Sequence, residues 1–154
     1  MLSTSTHVFS ELFVHLNWHC KADQPMIVPG LEPKLHDHIE QYCEKCKGVK
    51  FISVGGTLTH VHLLIQFEPF ICLADWMGKI KGGSSHDMNE EAKRTVLQWQ
   101  RGYGAVSFAR HDLNGLLRYV KEQKRHHGIG NGKLNSTLEL YGTYLENEVE
   151  GTEA

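Results

Sequence analysis

Thr59-His60-Val61-His62-Leu63-Leu64-Ile65-Gln66-Phe67 is a short run rich in apolar and β-branched residues, preceded by Gly55-Gly56. It reads as an inner β-strand. Residues two apart on a strand share a face, so His60 and His62 project side by side while Val61 points the other way. Two readings stand at this point: a pair of packed histidines, or two imidazoles placed to hold one ion. Working outward, Val49 to Val54 predicts a partner strand, Gly55-Gly56-Thr57 a hairpin turn, and Leu58 to Phe67 the returning strand.

About sixty residues on, Leu113, Leu116, Leu117 and Val120 recur at helical spacing, with His111-Asp112 as a start signal, and predict an amphipathic helix from Leu113 to His127. Tyr119 and Gln123, four apart, stand one turn above each other on that helix. A phenol and a carboxamide would therefore arrive at one place.

Three ordered blocks then carry a resemblance: His60-Val61-His62 in an apolar strand, Trp99 to Ser107 (WQRGYGAVS), and Tyr119 to His127 (YVKEQKRHH). Together they resemble the HUH single-tyrosine transposases, most of all those of the smallest bacterial insertion sequences and the REP-associated tyrosine transposases. The likeness spans roughly Phe9 to His127. It implies Tyr119 as the nucleophile and His60, His62 and Gln123 as ligands of a divalent metal, Mg²⁺ or Mn²⁺. Its further implications are single-stranded DNA as substrate, a 5'-phosphotyrosine intermediate, and a homodimer. The chain departs from the family at Thr59, where Asp or Asn is common, and in the glycine-rich run 128–132.

The 154 residues suffice for one domain with a core, and no stretch approaches the roughly 20 apolar residues of a membrane helix. The N-terminus lacks a signal-peptide pattern and four irregularly spaced cysteines suggest no disulfide framework, so a cytoplasmic protein is expected. The net charge of −2 is unevenly spread: −3 over residues 1–78, +6 over 79–133 and −5 over 134–154. The basic segment holds Tyr119 and suits a phosphate-tracking surface. Residues 1–133 are read as the catalytic domain and 134–154 as an acidic extension, with a peripheral helix expected over Leu138 to Val149.

The remaining elements follow in order. Phe9 to Trp18 alternates Leu12, Val14, Leu16 and Trp18 with Phe13, His15 and Asn17 and predicts a strand, with Leu16 and Trp18 on the core face. Met26 to Val28 could extend the sheet. Glu32 to Lys47 predicts a helix opened by Pro33 and ended by Gly48. Its Cys43-Glu44-Lys45-Cys46 falls at the C-terminal end, where no helix dipole favours a thiolate. A zinc site drawing on His36 and His38 is the competing reading of these cysteines.

Ile71 to Ile80 predicts a second helix, left by a loop containing Lys79, Lys81, Gly82, Gly83, Ser84 and Ser85. Cations, backbone N–H groups and hydroxyls in that loop suit phosphate oxygens. By resemblance, Lys79, Lys81, Ser84 and Ser85 are expected DNA contacts, joined by Arg118, Lys121, Arg125, His126 and His127 from the tyrosine helix. Asp87 to Val96 reads as a link and Gly104 to Ala109 as the last strand. The order β, α, β, β, α, β, helix predicts an α+β fold. The resemblance makes it a ferredoxin-like antiparallel sheet with helices on one face, plus a C-terminal helix carrying the tyrosine. Two rivals remain: a noncatalytic relative that binds hairpin nucleic acid, and a small metal-binding protein.

Overall fold

The computed structural model describes residues 7–123. Four strands, β1 (Leu12–His19), β2 (Val49–Gly56), β3 (His60–Phe67) and β4 (Gly104–Phe108), form one antiparallel sheet in the order β2-β3-β1-β4. This is the ferredoxin-like arrangement. The helices are α1 (Glu32–Lys45), α2 (Leu73–Ala92) and α3 (Leu113–Lys121), the last preceded by a short 3-10 turn over Arg110–Asp112.

The period-2 pattern of the strands divides the sheet into two chemically different faces. Val14, Leu16 and Trp18 of β1 meet Val61, Leu63 and Ile65 of β3 on one face, and α1 and α2 cover it. From α1 come Leu35, Ile39 and Cys43, and from α2 Trp76, Met77 and Ile80, all buried. That face is the hydrophobic core. The other face carries Phe13, His15, Asn17 and His19 from β1 beside His60, His62 and Leu64 from β3, and α3 lies on it.

Two glycines are required by geometry. Gly48, at φ +90°, closes the turn after α1, and the Phe70 ring occupies the space a side chain would fill. Gly55 belongs to β2 and pairs with His62. A Cβ there would stand 2.1 Å from the Val120 carbonyl oxygen, so the bare backbone is what lets α3 approach the sheet. The hairpin turn is accordingly Thr57 to Thr59, with Gly55 and Gly56 still in the strand rather than in the turn. A register shift between Phe51 and Ser53 sets this pairing.

Helix α2 runs twelve residues past its expected end at Ile80. Gly82 and Gly83 weaken a helix interior, but Ser84 and Met88 continue the buried face, and the hydroxyls of Ser84 and Ser85 both donate to the Lys81 carbonyl. Packing outweighs propensity here. The expected link over Asp87 to Val96 is thus mostly helix, ended by Lys93 in the left-handed conformation. Asn89 ties down the exit: its Oδ1 accepts from the Val96 and Leu97 N–H groups and its Nδ2 donates to the Leu97 carbonyl. Ile27 reaches the β2–β3 turn through one bond to the Leu58 carbonyl, and residues 26–28 form no strand.

Among the described residues no helix is long and apolar enough to cross a membrane. The expected helix over Leu138 to Val149 lies outside them.

Candidate active site

The H-x-H histidines sit on the face that α3 covers. Their ring centroids are 4.9 Å apart, and both side chains are buried, His62 completely. Each ring is oriented through Nδ1. Thr57 Oγ1 and Thr59 Oγ1 both lie 3.0 Å from His60 Nδ1, while His15 Nε2 lies 2.8 Å from His62 Nδ1. The support that a carboxylate at position 59 would give His60 thus comes from two hydroxyls. With Nδ1 held in each case, Nε2 is the nitrogen that would ligate, which is how metal-binding histidines are usually arranged.

Tyr119 is brought to the same place by α3. Its ring stands edge-on to His62 at 5.8 Å and to His15 at 6.0 Å. The ring is half-buried and belongs to the same chain as the histidines. Gln123, one turn further, is fully buried, and its Nε2 donates to the Tyr119 carbonyl at 3.1 Å, so its oxygen is the atom suited to a cation. Glu122 closes α3 at φ −99°, ψ 16°. The rest of the helix expected to reach His127, with Arg125, His126 and His127, lies outside the described residues.

Among the described residues no three His, Cys, Asp or Glu side chains converge as a metal site. A divalent ion here would take its third ligand from another residue type, and two neutral imidazoles with a carboxamide oxygen are a donor set that would suit Mn²⁺ and accept Mg²⁺ with its waters. The residues therefore fit the group that the resemblance implies. Among the described residues Cys43, Cys46, His36 and His38 do not converge as a metal site, and Cys43 is buried in α1.

Two histidines of β1 complete the cluster. His15 is buried, and loss of water lowers its pKa to about 4, so it is neutral at physiological pH. His19 stacks on His60 at 4.8 Å, and its Nδ1 lies 2.8 Å from Asp23 Oδ1. Burial falls along the row from His15 and His62 towards His19. The alternation of Phe13, His15, Asn17 and His19 with Val14, Leu16 and Trp18 was the available signal. It identifies a polar face, but only the pairing of β1 with β3 puts that face beside His60 and His62.

The expected phosphate-binding loop is helix instead. Lys79 is exposed, but Lys81 donates to the carbonyls of Gln100 and Gly102 at 2.7 and 2.6 Å, and Ser84 is buried with its Oγ accepting the Trp99 indole N–H at 3.0 Å. Lys81 and Ser84 thus hold the segment leading into β4. These residues belong to the layer of α1 and α2, whereas Tyr119, His60 and His62 occupy the opposite face. Arg118 and Lys121, exposed on α3, lie one residue before and two residues after Tyr119.

The model of the family described as "Transposase IS200 like" matches residues 8–123. The chain belongs to the IS200-like transposases. Two solved structures share the fold of this transposase. One is a candidate transposase from Deinococcus radiodurans R1, similar over 79% of this chain and 97% of its own at 19% identity and a TM-score of 0.63. The other is a REP-associated tyrosine transposase bound to a REP hairpin, similar over 82% of this chain and 74% of its own at 10% identity and a TM-score of 0.59. Among curated proteins no sequence matches.

Proposed function

We propose that this transposase cleaves and rejoins single-stranded DNA in the cytoplasm, with Tyr119 as nucleophile. The observation that carries the reading is the Tyr119 ring held against His62 within one chain. Membership of the family and the REP hairpin bound by a neighbour of the same fold support a hairpin-bearing strand as substrate.

The chemistry follows from the groups present. The Tyr119 oxygen attacks the scissile phosphorus and gives up its phenolic proton, the bond from phosphorus to the 3' oxygen breaks, and that oxygen takes up one proton to leave as a free 3'-hydroxyl. The 5' phosphate stays on Tyr119 as a phosphodiester. Because one phosphodiester replaces another, a different 3'-hydroxyl can reverse the step and join strands without ATP. His60, His62 and Gln123 would hold Mg²⁺ or Mn²⁺, which supplies charge neutralisation and polarisation of a phosphoryl oxygen. Arg118 and Lys121 guide the strand backbone past Tyr119, together with Arg125, His126 and His127. Lys79 and Ser85 contact DNA only where the strand crosses to the layer of α2.

Incubation with hairpin-bearing single-stranded DNA and Mn²⁺ should yield a protein–DNA adduct that survives denaturation. Binding without any adduct would instead identify a noncatalytic hairpin-binding relative.

A further inference from the structure

His15 is a buried imidazole in hydrogen-bond contact with the active-site pair, yet the cleavage chemistry assigns it no task. In the register of β1 on β3 it faces Leu64, and Asn17 faces His62, so His15 reaches His62 diagonally across the strand pair. The rings are 5.0 Å apart with planes inclined by 45°, and the approach is nitrogen to nitrogen at 2.8 Å. Such a contact contains one proton, and each neutral imidazole has one donor and one acceptor nitrogen. Two arrangements share this geometry. If His15 donates, His62 carries its own proton on Nε2 and that atom has no lone pair for a cation. If His15 accepts, the His62 proton is on Nδ1 and its Nε2 can ligate.

We propose that His15 is a positioning residue: by accepting the Nδ1–H of His62 it fixes both the tautomer and the orientation in which His62 binds a divalent ion. The inference rests on the reading of His60 and His62 as the metal-binding pair. His60 is held differently, since the hydroxyls of Thr57 and Thr59 can each donate or accept and can replace one another. His62 depends on a partner of fixed shape.

Binding of Mn²⁺ alone to DNA-free protein, followed by titration calorimetry, tests this without reference to cleavage. His15→Phe retains the ring volume but offers no acceptor, and its affinity should fall about 10–100-fold. His15→Gln, whose carbonyl oxygen can accept, should restore most of it. Combined with His62→Ala, His15→Phe should cause no further loss, because its effect passes through His62. Unchanged affinity in His15→Phe with weakened binding in His62→Ala overturns the role of His15 and leaves the metal pair standing. Unchanged affinity in both variants overturns the pair and the inference together. Should the variants fail to fold, ¹⁵N NMR of the wild-type protein with Mg²⁺ reads the proton directly through the coupling across the hydrogen bond. It should be attached to His62 Nδ1, and attachment to His15 Nε2 overturns the proposal.

Discussion

At the scale of single residues, His60→Ala or His62→Ala deletes an imidazole nitrogen from the site, whereas Gln123→Ala deletes a neutral oxygen that water can replace. Mn²⁺ titration should therefore show a large loss for either histidine variant and a smaller one for Gln123→Ala. Equal losses would mean that the three side chains do not act as proposed. Their placement was legible in the sequence because local geometry sets His60 and His62 two apart on a strand and Tyr119 and Gln123 four apart on a helix, whereas the roles proposed for them came from the resemblance. His15 and His19 were not legible as site residues. Their role depends on which strand lies beside β1 and in what register, and neither follows from the residues of β1 itself.

Among the elements, α3 is positioned by the absence of a side chain at Gly55. Gly55→Ala would set a Cβ 2.1 Å from a backbone oxygen of α3, so the helix has to shift. A loss of about 1–3 kcal/mol is expected in thermal unfolding. Displacing Tyr119 by even 1 Å should lower the rate of adduct formation on the order of 100-fold. A Gly55→Ala protein with normal stability and rate would contradict the close packing of α3. Helix α2 makes the opposite case. Nothing stands within 4 Å of a Cβ at Gly82 or Gly83, so Gly82→Ala and Gly83→Ala should each stabilise the protein by roughly 0.5–1 kcal/mol. Destabilisation would argue against helix at these positions. The strands and α1 were readable from periodicity and from Pro33. The second half of α2 was not, since its glycines and serines carry loop propensity and only burial of Ser84 and Met88 overrides it.

For the molecule as a whole, charge and assembly bear on the proposed binding of DNA. The +6 of residues 79–133 should make affinity for single-stranded DNA fall with salt, and Arg118→Ala or Lys121→Ala should each reduce the slope of log affinity against log salt by about 0.7 per lost phosphate contact. An unchanged slope in both would remove α3 from the DNA path. We also expect a homodimer, as the resemblance implies, and a monomeric sedimentation profile at micromolar concentration would refute it. Tyr119 already meets His62 of its own chain, so dimerisation is not needed to bring those two groups together. In the proposed reaction Tyr119, and no other tyrosine, takes the 5' phosphate. Its most direct test is proteolysis of the adduct formed with hairpin DNA and Mn²⁺, followed by mass spectrometry of the DNA-linked peptide. A single modified peptide carrying a 5'-phosphate link at Tyr119 is expected, absent from Tyr119→Phe protein that still binds Mn²⁺ and DNA. A link at Tyr42, Tyr103, Tyr141 or Tyr144, or an adduct that persists in Tyr119→Phe, would contradict it.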